Sequence, residues 1–302
     1  MQYRTLGRTG LRISEVGFGA WAIGGPAKLG DVEIGWGEVD DALSLRAIEA
    51  AYDAGVTFFD TADAYGAGRS EVLIGKALNP KRDRVVIATK VGNRTTADGQ
   101  WVKDFSKSWI LEAIDASLTR LGMDYVDLYQ LHSGTDTAQY RDETFEALEA
   151  LKAAGKIRFY GISVGPCAHG PWVVRNTPAD TIQVVYNMLE REPEEELLSL
   201  AQAQGVGIIA RVPLASGFLT GKFTADVTFA ANDHRVRTYP PEKVRQIVER
   251  VAQLTFLTEG RPKTLAQAAL QYCLSHPAVS AVIPGAKTPE QARANAAASD
   301  GV

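Results

Sequence analysis

Short runs of apolar, β-branched residues alternate with helix-like segments along almost the whole chain. The apolar runs predict eight strands that are buried on both faces, as in parallel sheets. These strands are 16–20, 56–60, 85–90, 126–131, 157–162, 181–186, 206–212 and 279–283. The segments between them predict helices at 40–54, 69–78, 106–120, 142–154, 166–175, 193–204, 241–258 and 264–275. Glycines at Gly55, Gly155 and Gly205 precede strands, and a left-handed conformation there would end the helix before each.

The alternation of strand and helix favours a (β/α)8 TIM barrel that forms a single domain over residues 1–302. A doubly wound sheet is the competing fold. It would normally carry a glycine-rich turn after its first strand, and the segment Gly17-Phe18-Gly19 lacks the third glycine of that motif. Short alternating runs within residues 2–13 predict a small N-terminal β-hairpin. Two long segments, 21–39 and 221–240, are candidates for binding loops.

Composition narrows the classes of function. The formal net charge is −4 and no basic stripe is present, so neither nucleic acid nor an anionic membrane is an expected partner. The N-terminus lacks the apolar segment of a signal peptide, and no apolar run reaches the roughly 18 residues of a membrane span. Cys167 and Cys273 lie far apart, which indicates a reduced, cytoplasmic protein with buried thiols. No spacing of histidine, cysteine and aspartate predicts a metal site.

Ionisable side chains stand where successive predicted strands end. Asp60 closes one strand and Tyr65 follows in the next loop, while Lys90 and His132 close the next two strands. Because the carboxyl ends of parallel barrel strands share one rim, we expect these four side chains to converge on one site. Each of them alone has an ordinary structural explanation, as a cap, a packing residue or a solvated group. Their shared position is what indicates proton transfer.

The chemistry of the four groups fits reduction of a carbonyl. A phenol has an ordinary pKa of about 10, and a nearby ammonium should lower it. Lys90 could supply this charge and Asp60 could hold Lys90 in place. A shift of about two pKa units needs roughly 3 kcal/mol of differential interaction. Tyr65 would then protonate a carbonyl oxygen while a hydride reaches the carbon, and His132 would orient the substrate. The hydride must come from a cofactor.

The motifs around these residues resemble those of the aldo-keto reductase family, in its bacterial form with a short C-terminal tail. The resemblance covers nearly the whole chain in order. Its motifs are Phe59-Asp60-Thr61-Ala62-Asp63-Ala64-Tyr65-Gly66, Gly68-Arg69-Ser70-Glu71, Ala88-Thr89-Lys90, Leu131-His132-Ser133, Gly161-Ile162-Ser163, Gln183-Val184-Val185-Tyr186-Asn187, Pro213-Leu214-Ala215-Ser216-Gly217-Phe218-Leu219-Thr220-Gly221-Lys222 and Ile283-Pro284-Gly285-Ala286 with Thr288, Gln291 and Asn295.

The resemblance implies a barrel that binds NADPH across its C-terminal face, with Tyr65 as the general acid, tuned by Lys90 and Asp60, and with His132 polarising the substrate. Ser163 and Gln183 would hold the nicotinamide carboxamide. Backbone amides of 214–217 would face the pyrophosphate, and Lys222 would add a cation. The complete set of implied cofactor residues is Ala20, Trp21, Ser163, Gln183, Arg211, Pro213, Leu214, Ala215, Ser216, Gly217, Lys222, Arg235, Gly285, Lys287, Gln291 and Asn295.

Three positions depart from the commonest family pattern. Arg211 stands where many members place an aromatic ring against the nicotinamide, although a guanidinium can also stack on a planar ring. Gly285 and Ala286 stand where many members have a lysine and a serine. Gln291 stands where many members hold the 2′-phosphate with an arginine, and Lys287 and Arg235 could compensate. We therefore expect NADPH as the cofactor, with NADH as the alternative.

The resemblance also implies a small carbonyl compound as substrate. The short tail predicts an open pocket in which Trp21 and Trp101 contact the substrate. The leading function is NADPH-dependent reduction of aldehydes or ketones to alcohols by a monomer or weak oligomer. One alternative is a non-catalytic nicotinamide-binding subunit of a membrane channel. Such relatives often carry asparagine at the histidine position, so His132 favours catalysis. The other alternative is a sugar-alcohol dehydrogenase working in the oxidative direction.

Overall fold

A computed structural model describes residues 1–260 and 263–299. Its strands are β1 (Tyr3–Thr5), β2 (Arg12–Ser14), β3 (Phe18–Gly19), β4 (Lys28–Leu29), β5 (Val32–Glu33), β6 (Phe58–Asp60), β7 (Val86–Val91), β8 (Asn93–Thr95), β9 (Trp101–Lys103), β10 (Val126–Gly134), β11 (Ile157–Val164), β12 (Thr181–Val185), β13 (Gly207–Arg211) and β14 (Val279–Val282). Its α-helices are α1 (Asp41–Asp53), α2 (Arg69–Leu78), α3 (Lys107–Leu121), α4 (Asp142–Ala153), α5 (His169–Asn176), α6 (Leu197–Ala203), α7 (Arg235–Thr238), α8 (Pro241–Ala252), α9 (Leu265–Ser275) and α10 (Pro289–Ala296).

Eight strands form a closed parallel barrel in the order β3-β6-β7-β10-β11-β12-β13-β14. Parallel bridges between Val16 and Val282 and between Gly19 and Gly285 join the last strand to the first. Gly19 has to be a glycine, because a Cβ there would lie only 2.5 Å from the carbonyl oxygen of Ile283. The predicted (β/α)8 barrel is confirmed, and all eight predicted barrel strands are present.

The predicted N-terminal hairpin is also confirmed, since β1 and β2 pair in antiparallel fashion. Leu6, Leu11 and Ile13 of this hairpin are buried in the core cluster that fills the barrel interior. The amide of Arg8 donates to the carbonyl oxygen of Gly205, just before β13 begins. The hairpin therefore covers the amino end of the barrel, and the carboxyl end is left for a site.

The period of two along the strands assigns side chains to the two sides of the barrel wall. In β10, Tyr129 and Leu131 belong to the outer core beneath the helices, whereas Leu128 belongs to the inner core. Gln130 and His132 share the inward face with Leu128. A polar side chain at these positions therefore points into the barrel near its carboxyl rim.

Several helix boundaries differ from the predicted ones. The segment predicted as 193–204 begins with a 3₁₀ turn and becomes an α-helix only at Leu197–Ala203. In the segment predicted as 241–258, the α-helix ends at Ala252 and a 3₁₀ turn follows at Thr255–Leu257. Helix α10 was not predicted, although Thr288 caps it and Pro289 occupies its first turn, which is a recognisable start signal. The expected left-handed glycines at 55, 155 and 205 are present.

Both segments predicted as binding loops carry structure of their own. Segment 21–39 contains the β4–β5 hairpin, and segment 221–240 contains α7. They meet where the amide of His234 donates to the carbonyl oxygen of Gly35 at 2.8 Å. Within the described part of the chain, no helix has the length and apolar character needed to span a bilayer.

Candidate active site

Lys90 occupies the centre of the site, near the carboxyl end of β7. Its fully buried ammonium donates to Asp60 Oδ1 at 2.6 Å, to the carbonyl oxygen of Thr61 at 2.8 Å and to Tyr65 Oη at 3.0 Å. All three N–H groups of the ammonium are therefore used. The structure thus brings together Asp60, Tyr65 and Lys90, three of the four residues that were predicted from their positions at or after strand ends.

Burial and neighbouring charges oppose each other at Lys90 and Tyr65. Burial by itself would lower the pKa of Lys90, but Asp60 and Tyr65 outweigh it and hold that pKa above its usual value. Burial raises the pKa of the Tyr65 phenol, and the opposing effect of Lys90 does not offset it. The prediction of a lowered phenol pKa is wrong in its net direction, because Lys90 is already paired with Asp60 and the phenolate would lose its water.

Asp60 is held from its other side by two amides. Gln130 Nε2 and Gln183 Nε2 each donate to Asp60 Oδ2 at 2.9 Å, and Gln183 Nε2 also lies 3.2 Å from Gln130 Oε1. Gln183 was predicted as a cofactor residue, and its amide nitrogen is committed to the carboxylate. Gln130 was not predicted. The signal for it was a glutamine two residues before His132, which places both side chains on the same face of β10.

His132 completes the predicted set of four. Its ring packs edge-on against the Tyr65 ring with centroids 5.7 Å apart. Burial, together with the nearby positive charges of Lys90 and Lys103, holds the pKa of His132 well below its usual value. The imidazole is therefore neutral near neutral pH. Its Nδ1 lies 3.0 Å from the side-chain nitrogen of Asn93, a neighbour that the sequence did not suggest.

A cavity of about 720 Å³ opens beside these residues at the carboxyl rim of the barrel. Asp60, Tyr65 and His132 lie in its wall. The predicted cofactor residues that line it are Trp21, Gln183, Arg211, Pro213, Leu214, Ser216, Gly217, Lys222, Arg235, Gly285, Lys287, Gln291 and Asn295. The remaining three, Ala20, Ser163 and Ala215, are buried and do not line it. Ser163 Oγ is a buried hydroxyl oxygen without a hydrogen-bond partner among the described residues.

The turn after β13 has an unusual backbone. Val212, Ala215 and Ser216 all have positive φ without being glycine, and Gly217 follows with φ of +96°. Such outliers cluster at functional sites because only a strong surrounding structure holds them. The amides of Ala215 and Gly217 donate to carbonyl oxygens inside the turn, at Val212 and Leu214. Two of the four amides predicted to face a pyrophosphate are therefore already engaged.

The positively charged side chains predicted to bind the cofactor differ in how far they are already engaged with other groups of the protein. Lys222 makes no ion pair within residues 1–260 and 263–299. Arg235, by contrast, donates to Asp233 Oδ2 at 2.6 Å. Lys287 Nζ donates to the carbonyl oxygen of Trp36 at 2.6 Å, and burial lowers its pKa. Arg211 donates to the carbonyl oxygen of Val164 at 3.1 Å, while its Nε is buried and unpartnered in the described chain.

The two predicted substrate-facing tryptophans have different positions. Trp21 lines the cavity and stacks on Tyr65 with ring centroids 6.0 Å apart. Trp101 does not line the cavity. It stands on β9, is 42% exposed, and donates its indole N–H to Asn93 Oδ1 at 3.3 Å. Trp101 therefore lies outside the cavity wall on a partly exposed hairpin, and its contact with a substrate stays a prediction.

Neither thiol is activated and no metal cluster is present in the described residues. Cys273 is buried as expected, whereas Cys167 is only half-buried. Burial raises the pKa of Cys167 to about 11 and that of Cys273 to about 12, so both remain protonated thiols. Residues 1–260 and 263–299 contain no group of three or more metal-binding side chains that could hold an ion.

The chain is similar to oxidoreductases over nearly its whole length. Residues 15–301 match the model of the Aldo/keto reductase family. An uncharacterized oxidoreductase of Bacillus subtilis, YqkF, is 38% identical over 98% of this chain and 90% of its own length. The holo form of aldo-keto reductase AKR11C1 from Bacillus halodurans has a TM-score of 0.81 and 34% identity, over 99% of this chain and 91% of its own. An aldo/keto reductase from Klebsiella pneumoniae, solved with NADP and acetate, has a TM-score of 0.75 and 28% identity, over 99% of this chain and 90% of its own.

Proposed function

The chain belongs to the aldo/keto reductase family, and on this premise we propose that it is an NADPH-dependent oxidoreductase that reduces aldehydes or ketones to alcohols. The observation that carries the proposal is the contact of Lys90 Nζ with both Asp60 Oδ1 and Tyr65 Oη at the wall of the cavity. The Lys90 ammonium lies 3.0 Å from Tyr65 Oη, so it stabilises negative charge that develops on this oxygen. Proton donation by Tyr65 creates that charge.

Tyr65 is proposed as the general acid even though burial raises its pKa. The phenol has to remain protonated until a substrate needs the proton. The alkoxide that forms when a carbonyl is reduced is far more basic than a phenolate, so the proton still moves downhill. Lys90 stabilises the phenolate that remains, since its ammonium lies 3.0 Å from Tyr65 Oη. Neutral His132 would hold the substrate oxygen beside Tyr65.

The cavity of about 720 Å³ lies within the range of about 300–1,000 Å³ that is usual for ligand pockets, and its lining suits a nicotinamide dinucleotide. The nicotinamide ring supplies the hydride when the cofactor is bound. Ser163 Oγ is an orphaned buried hydroxyl, which suits an amide group that can both donate and accept. Lys222, free of any ion pair in the described chain, is the cation best placed for a phosphate. Because Arg235 is paired with Asp233, its positive charge is less available to a 2′-phosphate. We propose NADPH as the cofactor, with NADH as the alternative.

We further propose that residues 1–302 form one domain and that the protein is a cytoplasmic monomer or weak oligomer. Support for one domain comes from the described ends of the chain. The amide of Gln2 donates to Ser299 Oγ at 2.6 Å, and Ser299 Oγ donates to Glu15 Oε1 at 2.9 Å. The two free cysteines are compatible with a reducing compartment. Size-exclusion chromatography with light scattering would measure the oligomeric state.

A panel of aldehydes, ketones and sugars, assayed by NADPH absorbance and repeated with NADH, tests the function directly. Turnover of carbonyl compounds is expected. The variant Tyr65→Phe should lose about a thousandfold or more of kcat, because it lacks the transferable proton, while its dissociation constant for NADPH stays within about twofold. Wild-type protein that binds the cofactor without any turnover would contradict an enzymatic role. Full activity of the Tyr65→Phe variant would contradict the role of the phenol.

A further inference from the structure

We propose that Asn93 and Lys103, on the β8–β9 hairpin, are positioning residues that hold His132 in the tautomer with its proton on Nε2. This inference concerns the site of the proposed carbonyl reduction and rests on that function for its catalytic meaning. The tautomer itself can be measured without any turnover. Neither residue belongs to the barrel strands, and neither lines the cavity.

The orientation of the Asn93 amide is decided by its neighbours. Lys103 Nζ lies 2.6 Å from Asn93 Oδ1, and Trp101 Nε1 lies 3.3 Å from the same atom. An ammonium and an indole N–H can only donate, so the atom that faces them has to be the amide oxygen. If the amide were flipped, its NH2 group would meet two donors. The Nδ2 group therefore points the other way, toward His132.

The orientation of the Asn93 side-chain amide determines the tautomer of His132. Asn93 Nδ2 is 3.0 Å from His132 Nδ1, and an amide NH2 can only donate. His132 Nδ1 has to accept this hydrogen bond, so it carries no proton. Burial and nearby cations keep the ring neutral. The single ring proton must then reside on Nε2, which makes no hydrogen bond to the described residues.

Lys103 also fixes the backbone beneath the imidazole. Its Nζ donates to the carbonyl oxygen of His132 at 2.5 Å, in addition to Asn93 Oδ1. The strand shifts register between His132 and Gly134, and Ser133 has a φ of +53°, so the backbone here departs from regular β structure. Lys103 is mostly buried and has no ion pair in the described chain, and its pKa is lowered to about 8 by burial. Burying an ammonium is costly, and the hydrogen bonds to Asn93 Oδ1 and to the His132 carbonyl oxygen offset part of that cost.

The Nε2–H tautomer is the one that carbonyl reduction requires. A donor aimed at the substrate oxygen orients the carbonyl and stabilises the negative charge that develops on it. The opposite tautomer would present a lone pair to that oxygen and repel it. Loss of the Lys103–Asn93 pair should therefore weaken the reaction while the cofactor site is left unchanged.

The experiment is ¹⁵N NMR of histidine-labelled protein without cofactor. The chain has four histidines, and the spectrum of His132→Gln assigns the resonances of His132. In wild type, Nε2 should appear protonated and Nδ1 unprotonated. Asn93→Asp should move the proton to Nδ1 or charge the ring, because a carboxylate only accepts. Lys103→Met should produce a mixture of tautomers, while Lys103→Gln, which keeps an N–H donor, should stay closer to wild type.

Kinetics provide the second readout. In Asn93→Asp and Lys103→Met, kcat/KM for a carbonyl should fall about ten- to a hundredfold, the range seen when the hydrogen-bond partner of a metal-bound histidine is removed. The dissociation constant of NADPH should not change. Lys107→Met is the matched control, because Lys107 is exposed and its one ion pair within residues 1–260 and 263–299 is with Glu146 at 3.2 Å. This control should leave both readouts unchanged.

Two results would overturn the inference. One is wild-type His132 protonated on Nδ1 or on both nitrogens near neutral pH. The other is an unaltered Nε2–H tautomer in a folded Asn93→Asp variant. The wild-type spectrum decides the first point even if a variant fails to fold. If the tautomer is as expected but wild type reduces no carbonyl, the proposed function fails and the assignment of the proton stands.

Discussion

Asp60→Asn is the most informative single substitution, because Asp60 connects a buried cation to two amides. One carboxylate oxygen accepts from Lys90, and the other accepts from Gln130 and Gln183. An asparagine cannot satisfy both sides. If its oxygen faces Lys90, its NH2 group meets two amide donors. If it is turned round, its NH2 group meets the ammonium.

The size of the effect can be worked out from Lys90. Removing one partner of a buried ion pair typically costs about 3–5 kcal/mol. The variant can limit the loss by releasing the proton of Lys90, since a neutral amine accepts from the new NH2 group. With an unfolded pKa near 10.4, this release costs about 4.6 kcal/mol at pH 7 but only about 1.9 kcal/mol at pH 9. The destabilisation should therefore shrink as pH rises.

The direction of this pH dependence follows from the number of protons that the folded and the unfolded chain bind. In the wild type, Lys90 stays protonated in both the folded and the unfolded state over this range, because its folded pKa is raised. In the variant, the unfolded chain binds one proton more than the folded chain between about pH 7 and pH 10, so stability rises with pH.

Thermal unfolding at pH 7 and pH 9 is the assay, read as the difference between variant and wild type. For 302 residues, an unfolding entropy of about 2.1 cal/mol/K per residue converts 3–5 kcal/mol into a Tm loss of roughly 5–8 °C at pH 7. The loss at pH 9 should be about 3 °C, because releasing the proton then costs only about 1.9 kcal/mol. Glu146→Gln is the control, because Glu146 belongs to an exposed pair worth at most about 1 kcal/mol. An equal Tm loss at both pH values, or none, would refute the reasoning.

Two further predictions concern Arg211 and Asp63. Arg211→Ala should weaken NADPH binding by about fivefold or more in a fluorescence titration, since a planar cation stacked on the nicotinamide is worth about 1–2 kcal/mol; an unchanged dissociation constant would argue against stacking. Burial beside Glu71 raises the pKa of Asp63 to about 8, so wild type loses stability as pH rises from about 4 to 8. The isosteric Asp63→Asn should gain Tm relative to wild type through this range and level off above pH 8, and a constant difference would contradict a protonated Asp63.

The strands of the barrel could be read from sequence because their signal is local. A strand buried on both faces is apolar along most of its length, and the runs Val85-Val86-Ile87-Ala88 and Val206-Gly207-Ile208-Ile209-Ala210 show this before any contact is known. Helix ends were less accurate. Whether residues after Glu192 or Ala252 form an α-helix or a 3₁₀ turn depends on what they pack against.

The convergence of Asp60, Tyr65, Lys90 and His132 was also predictable from the sequence. In a parallel barrel, the direction of each strand determines the rim on which its last residue lies, and this needs no distances. Gln130 could have been added by the same rule, as a polar residue on the inward face of a strand. This rule predicts which side chains lie near one another at the rim. It does not predict their protonation states.

The barrel, its carboxyl rim and the convergence of four ionisable side chains there were therefore determined by the sequence alone, because they follow from periodicity and chain direction. Only the tertiary structure decided the rest. It turned the Trp101 ring to solvent, committed Arg235 to Asp233, and brought the β8–β9 hairpin against His132. It also raised the pKa of Tyr65, where the sequence had predicted a fall. Desolvation and contacts between distant loops depend on how the whole chain packs, and no local pattern of residues encodes them.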